Sequence, residues 1–157
     1  MKITKRILIL LLIALIALQF YRPEKNDAEV RDVTSFEKET KPSPLVVGVL
    51  QTKCYDCHSN KTVYPWYAEV APVSLWLNDH VEEGNEHFNA SAWDSYEDKK
   101  KDHKLEELIE EVEEGKMPLN EYTWLHGGSL SQAEKDAVIA WAKEARKKYK
   151  SAVTDGQ

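Results

Sequence analysis

The sequence is poor in cysteine, methionine and net positive charge. Its 157 residues include 2 cysteines, 2 methionines and 6 glycines, and the formal net charge is −6. The acidic balance argues against nucleic acid as a partner, because binding to phosphates needs a net basic face. The sequence also lacks internal repeats and useful lengths of strand-like alternation, and its periodic segments are helical. It therefore predicts an all-α fold.

The longest apolar run, Ile7–Leu18, lies close to the N-terminus. Three basic residues precede it: Lys2, Lys5 and Arg6. Basic residues before a short apolar run are typical of an export signal. No small-x-small cleavage site follows the run and no cysteine lies near it, so neither cleavage nor a lipoprotein anchor is expected. Phe20–Arg22 resembles the aromatic and basic edge of a membrane segment.

These features predict that residues 1–22 form an uncleaved, single-pass anchor in the cell membrane. The run is short for a spanning helix, which needs about 20 residues. Counting from Ile3 to Tyr21, with the flanking basic side chains reaching the interface, brings it close to that length. Because the basic residues precede the run, the rest of the chain is expected outside the cytoplasm, in the periplasm.

The remaining chain divides by composition. Residues 23–43 are rich in charge and poor in large apolar side chains, which predicts a flexible tether. Residues 44–149 are expected to form the folded domain, and 150–157 a polar tail. Apolar periodicity and capping signals predict four helices in that domain: Leu45–Cys57, one within Pro72–Glu83 that stops at Gly84, Asp102–Glu114 with Gly115 as its cap, and Ser131–Lys148.

Both cysteines lie in one motif, Cys54-Tyr55-Asp56-Cys57-His58. Covalent haem attachment needs two thiols that reach two vinyl groups on one porphyrin edge, and an imidazole that then lies under the iron. The C-x-x-C-H spacing meets both needs and is typical of c-type haem attachment. The motif therefore predicts one covalent haem c, bound through Cys54 and Cys57, with His58 as an iron ligand.

Three other uses of this cysteine pair fit less well. A disulfide between residues three apart would strain its geometry and close almost no loop. A thioredoxin-like dithiol needs a βαβ context that the sequence lacks. A zinc site needs further ligands, and there is no second cysteine pair.

The second axial ligand is less restricted by the sequence. Met117 offers a soft thioether, which raises the reduction potential relative to two histidines, and Pro118 restricts the backbone before it. Met117 could instead be an ordinary core residue. His80 and His126 are the alternative ligands. The other two candidates are expected to be solvated: His87 and His103.

An aromatic cluster, Tyr64-Pro65-Trp66-Tyr67, follows the haem motif by six residues. We expect Tyr64 and Trp66 to contact the porphyrin, although ordinary core packing would use the same residues. The glutamate pairs of the third predicted helix are expected to form a solvated face, or a surface that steers a basic redox partner.

Several motifs together resemble the small bacterial haem-binding domain proteins related to cytochrome c. The resemblance covers about residues 15–145, and these motifs carry it: Cys54-x-x-Cys57-His58-Ser59-Asn60, Tyr64-Pro65-Trp66-Tyr67, Ala71-Pro72-Val73-Ser74, Gly115-x-Met117-Pro118-Leu119 and the N-terminal Gln19-Phe20-x-Arg22-Pro23-Glu24-Lys25-Asn26. The resemblance implies a cytochrome-c-like helical fold with covalent haem, and no particular reaction. In small cytochromes c, a Met-Pro pair about sixty residues after the haem histidine supplies the axial ligand, a role that carries over to Met117.

The leading functional hypothesis is one-electron transfer at the outer face of the cytoplasmic membrane, between redox protein partners. Two alternatives need an open iron: a peroxidase-like enzyme and a sensor of a diatomic gas. No obvious distal Arg–His pair that could cleave a peroxide is present, so an electron carrier is favoured over a catalyst.

Overall fold

The regular structure of the chain is helical. The computed structural model describes the backbone of residues 2–126 and 128–155 and the side chains of residues 2–124 and 128–150. Within these residues there is no strand, and two short 3₁₀ segments, Trp66–Glu69 and Ala90–Ser95, supplement the α-helices. The α-helices run as follows: α1 Lys2–Leu18, α2 Thr34–Thr40, α3 Pro44–Lys53, α4 Val73–His87, α5 Asp98–Glu113, α6 Asn120–His126 and α7 Gln132–Asp155. The predicted all-α fold is confirmed.

Helix α1 buries no residue. Its isoleucines and leucines are exposed to solvent along its length. Among the described residues, no helix combines the length and the apolarity that crossing a membrane requires.

The main core is aromatic and is centred on α2. Phe36 is fully buried, and its ring lies 4.9 Å from that of Trp93, 5.4 Å from Phe88 and 5.8 Å from Trp141, in edge-on arrangements that aromatic rings favour. Helices α5 and α7 pack side by side against this cluster through their apolar stripes. Burial of Phe36 fixes α2 to the rest of the domain.

The structure differs from the flexible tether expected over residues 23–43. This stretch contains α2, and the residues before it lie along the segment that follows the cysteine motif. We call residues 19–31 the strap. Its backbone bonds to that segment at two points, since the Thr62 amide donates to the Asn26 carbonyl at 2.8 Å and the Ala28 amide donates to the Asn60 carbonyl at 3.2 Å. The polar composition of this stretch predicts a tether, but its polar groups are hydrogen-bonded to the segment that follows the cysteine motif.

The predicted helix ends are confirmed where the cap is formed by residues close in sequence. Ser131 and Glu134 form the predicted capping box: the Ser131 amide donates to Glu134 Oε2 at 2.8 Å, and the Glu134 amide donates to Ser131 Oγ at 3.3 Å. Gly115 follows α5 with a positive φ of 72°, as its predicted capping role requires.

Three other helices end at residues different from the predicted ones. Helix α3 ends at Lys53, before the cysteines, because the chain turns there. Helix α4 continues through Gly84, which is buried and lies against another backbone rather than ending the helix. Helix α7 extends beyond Lys148 to Asp155, and α6 was not predicted.

Candidate haem site

The cysteine motif forms a turn at the end of α3. The amides of Cys54 and Tyr55 both donate to the Leu50 carbonyl, at 3.1 and 2.9 Å, and the His58 amide donates to the Cys54 carbonyl at 3.0 Å. Tyr55 is fully buried in the main core. Because this ring fixes the middle of the turn, the thiols on either side of it are held in place. Both cysteines are free, and each residue is partly buried.

The ring of His58 is oriented by helix α4. Its Nδ1 lies 2.9 Å from the Gly84 carbonyl oxygen and 2.9 Å from the Phe88 carbonyl oxygen. Since a carbonyl can only accept, Nδ1 carries the hydrogen and Nε2 keeps its lone pair. Donation from the other ring nitrogen is the usual support of a metal-binding histidine.

Burial also favours the neutral form of His58. Desolvation lowers its pKa below the ordinary value, and the two carbonyl bonds act in the opposite direction. The ring is therefore neutral at physiological pH. A neutral imidazole with a free Nε2 is the form that ligates iron.

Helix α4 can reach His58 because Gly84 has no side chain. A Cβ at Gly84 would lie 2.8 Å from the Cys57 carbonyl oxygen and 3.2 Å from the Cys57 Cβ. No real Cβ tolerates such a contact with backbone. The glycine thus permits the close approach that lets its own carbonyl accept from His58.

The two thiols remain protonated at neutral pH. Burial raises the pKa of Cys54 to about 12, and the neighbouring Cys57 adds to this. Burial raises the pKa of Cys57 to about 11, and the charge of Asp56 adds to this. Reactive cysteines have a lowered pKa in electropositive surroundings, so this pair is not set up for thiolate chemistry.

Asp56, between the cysteines, connects the turn to three other segments. Its carboxylate pairs with Arg31 of the strap, accepts from Tyr122 Oη of α6 at 3.1 Å and accepts from the Val63 amide at 3.4 Å. Its carbonyl accepts from the Thr62 hydroxyl. Contacts from both sides of the sequence therefore hold the turn.

The comparison with protein families agrees with this geometry. The family model for the haem-binding domain matches residues 13–144. The chain belongs to that family. The matched range begins inside α1 and includes the strap and α2, so this haem-binding domain extends upstream of residues 44–149. Neither the curated proteins nor the solved structures gave a match.

The residues of the haem-binding domain fit a haem. His58 presents a lone pair whose direction is fixed by two carbonyls, and two unpaired thiols lie three residues apart beside it. The two thiols could form thioether bonds to the vinyl carbons of a porphyrin, and Nε2 of His58 could coordinate its iron.

The predicted aromatic wall is divided between two environments. Tyr64 packs against a small apolar cluster of Ala68, Leu77 and Val81, which Cys57 also contacts. The side chain of Trp66 is 81% exposed, and its ring lies 5.8 Å from the ring of Tyr67. The structure therefore brings Tyr64 to the cysteine motif, and it places Trp66 at the surface.

The candidates for the second axial position lie in different parts of the domain. Met117 follows α5 and is partly buried against the main core, as Cys54 is; its amide donates to the Glu111 carbonyl at 3.1 Å. His80 lies on α4, where its Nδ1 is 2.9 Å from the Trp76 carbonyl oxygen. The His126 side chain lies outside the described residues.

Sequence reasoning missed the residues that hold the haem motif in place. They are Asn26, Arg31, Gly84, Phe88 and Tyr122. Gly84 and Phe88 accept from His58 through backbone carbonyls, which have no sequence signal, and the glycine at position 84 indicated a helix end instead. Asn26 did have a sequence signal, because it belongs to the N-terminal segment that resembles the family.

Proposed function

We propose that this haem-binding domain carries one covalent haem c, attached through Cys54 and Cys57 and ligated by His58. The observation that carries the proposal is the fixed His58 ring, whose Nδ1 is held at 2.9 Å by each of two carbonyls beside two free thiols. Family membership supports haem itself. The covalent attachment rests on the motif and its geometry.

The proposed activity is one-electron transfer. A haem held at this site supplies a one-electron couple whose potential is set by its axial ligands and surroundings. The protein contributes attachment, a fixed imidazole and partial burial. Electron transfer requires neither a proton donor nor a substrate-binding group at the site.

We propose Met117 as the second axial ligand, with Pro118 shaping the backbone beside it. The support is its position after α5, where one backbone bond holds it and the thioether lies against the main core. A thioether ligand gives a higher potential than a second histidine. His80 is the competitor, because its contact to the Trp76 carbonyl uses only Nδ1.

The proposed location is the outer face of the cytoplasmic membrane, with α1 as a single-pass anchor. The exposed apolar side chains of α1 carry a hydrophobic cost in water that lipid would remove. Its 17 residues extend about 26 Å, near the roughly 30 Å of a hydrocarbon core. The basic residues at its start favour the cytoplasmic side, and this supports a periplasmic haem domain that meets redox protein partners there.

Optical spectroscopy of the full chain, produced in a host that matures c-type haem, tests the proposal. We expect haem that stays with the polypeptide after acid–acetone extraction, and low-spin bands in both redox states. Cys54→Ser and Cys57→Ser together should make the haem extractable. Extractable haem in the parent protein would contradict covalent attachment while leaving haem binding intact.

The same preparation tests the axial ligand. Met117→Leu should abolish the weak far-red band of oxidised His/Met haem, whereas the matched change His80→Asn should leave it. A parent protein whose reduced form is high-spin and binds carbon monoxide at once would contradict electron transfer. The peroxidase-like and sensor hypotheses would then replace it.

A further inference from the structure

The strap ties α1 directly to the haem-binding domain. Gln19, just beyond the end of α1, makes a reciprocal pair with the backbone of Ala71: its Nε2 donates to the Ala71 carbonyl at 3.0 Å, and its Oε1 accepts from the Ala71 amide at 3.0 Å. A side-chain amide that satisfies both backbone groups of one residue fixes distance and orientation together. The helix is therefore joined to the domain within one residue of its last turn.

A second attachment follows within the next six residues. Arg22 and Lys25 both pair with the carboxylate of Glu69, and Arg22 also donates to the Glu69 carbonyl. The side chains of these three residues are 42–53% exposed, so each ion pair alone contributes little. Together with Gln19 they make several contacts to the same short stretch of the domain.

The strap then reaches the residues after the haem motif. The Asn26 amide donates to Tyr64 Oη at 2.8 Å, and its side-chain nitrogen donates to the Ser59 carbonyl at 2.8 Å and to Thr62 Oγ1 at 3.0 Å. Contacts thus continue from the end of α1 to the immediate neighbour of His58. No free length of chain separates the apolar helix from the candidate haem site.

Large apolar side chains are exposed around these attachment points. Phe20 and Tyr21, between Gln19 and Arg22, are 83% and 62% exposed; Val70, between Glu69 and Ala71, is 45% exposed, and Trp66 of the same turn is 81% exposed. We call Phe20, Tyr21, Trp66 and Val70 the interfacial face. The Gln19–Ala71 pair joins the two segments that contain these residues, and Phe20 and Tyr21 directly follow Gln19 at the end of α1.

We propose that the interfacial face lies in the headgroup and upper acyl region of the bilayer that receives α1, and holds the haem domain against the membrane in one orientation. The proposal rests on the membrane anchor proposed above. Amphipathic aromatic rings favour that region. Arg22 and Lys25 share the single carboxylate of Glu69, and the positive charge that this leaves unbalanced favours anionic lipids. The domain would then be fixed on the surface, whereas a flexible tether would let it swing between partners.

Lipid photolabelling of the full chain tests this. The purified protein is placed in phosphatidylcholine–phosphatidylglycerol vesicles that contain a phospholipid with a diazirine near the top of its acyl chain, and adducts are mapped by tandem mass spectrometry. We expect adducts in α1 and over Trp66–Val70. Trp124, whose side chain is 85% exposed, is the internal control and should remain unlabelled.

A variant tests whether the Gln19–Ala71 contact is what holds Trp66–Val70 at the membrane. Gln19→Ala should lower labelling of Trp66–Val70 several-fold while α1 stays labelled, and the exposed Gln51→Ala should change neither. Adducts in α1 without adducts over Trp66–Val70 would overturn the interfacial face and leave the anchor. Equal labelling of Trp66 and Trp124 would also overturn it. Absence of adducts from both regions would overturn the anchor as well.

Discussion

The α5–α7 pair and the cysteine-motif turn are built from different contacts. Helix α5 contributes Leu105, Ile109 and Val112 to the core at helical spacing, and α7 contributes an equivalent stripe. The turn instead depends on hydrogen bonds from residues distant in sequence, among them the carbonyls of Gly84 and Phe88. Buried apolar area is the main support of the first region, and individual polar contacts around the buried Tyr55 ring are the main support of the second.

This difference has a consequence for mutations. Loss of buried area should lower the global free energy of unfolding and leave the site's geometry unchanged in the molecules that remain folded. Loss of one hydrogen bond costs only about 1 kcal/mol, but at the turn it should change the site itself. Four substitutions test that separation, from the largest expected effect on the free energy of unfolding to the smallest.

Trp93→Ala should have the largest effect on stability. Trp93 is fully buried, and its ring lies 4.9 Å from Phe36 and 5.8 Å from Tyr149. Removing such a ring costs about 3–5 kcal/mol, measured by urea unfolding with circular dichroism. Trp124→Ala, at an exposed position, should stay within about 0.5 kcal/mol. A changed haem spectrum in folded Trp93→Ala would contradict the separation of core and site.

Glu39→Gln should weaken a set of polar contacts within the main core. The Glu39 carboxylate accepts from Tyr149 Oη at 2.8 Å, from Lys101 Nζ at 3.1 Å and from Trp93 Nε1 at 3.3 Å. Lys101 is only 7% exposed, so leaving its charge without a full partner should cost about 3 kcal/mol. Urea unfolding at neutral pH measures it, with the exposed Glu24→Gln as the control.

The pH dependence of that difference has a definite sign. Burial opposes ionisation of Glu39, but bonds from Tyr149 and Lys101 outweigh it and lower its pKa from 4.5 to about 2. A lowered pKa stabilises the fold fully above the unfolded value and loses that contribution as pH falls through the folded value. The gap between parent and Glu39→Gln should therefore narrow from about pH 4.5 to pH 2. A constant gap would contradict this assignment.

Local signals explain which parts of the fold were predictable. Helix faces and the Ser131 capping box depend on residues within one or two turns, so the sequence contains them. The composition of residues 23–43 predicts a tether because the one aromatic residue of this stretch, Phe36, lies among polar residues. Its burial depends on partners such as Trp93 and Trp141, far along the chain.

The candidate site shows the same limit. The sequence singles out Cys54, Cys57 and His58 because the C-x-x-C-H spacing is typical of c-type haem attachment, and their haem-binding role stays a prediction. The orientation of His58 was not evident, because it depends on where α4 crosses the turn, and main-chain carbonyls have no sequence signature. Gly84 offered an ambiguous signal, since a glycine can end a helix or permit close approach.

Gly84→Ala should disturb the site more than the fold. Its Cβ would meet the Cys57 carbonyl oxygen at 2.8 Å, and overpacking of this kind costs about 1–3 kcal/mol. Because α4 must shift, the bond between His58 and the Gly84 carbonyl should lengthen and the haem spectrum should change. Gly48→Ala, within α3, has nothing within 4 Å of the added Cβ and should gain up to about 1 kcal/mol. An unchanged spectrum in Gly84→Ala would contradict the role of this contact.

Asn26→Ala should have the smallest global effect and the most local one. The change removes the side-chain bonds to the Ser59 carbonyl and Thr62 Oγ1, for about 1 kcal/mol. Since these bonds hold the strap to the turn, exchange of the Ala28 and Thr62 amides should accelerate, while Ala142 in α7, which is fully buried, should not change. Hydrogen exchange with residue resolution measures both. Equal acceleration at Ala142 would mean that the strap and the core open as one unit, and the two regions would then share a single source of stability.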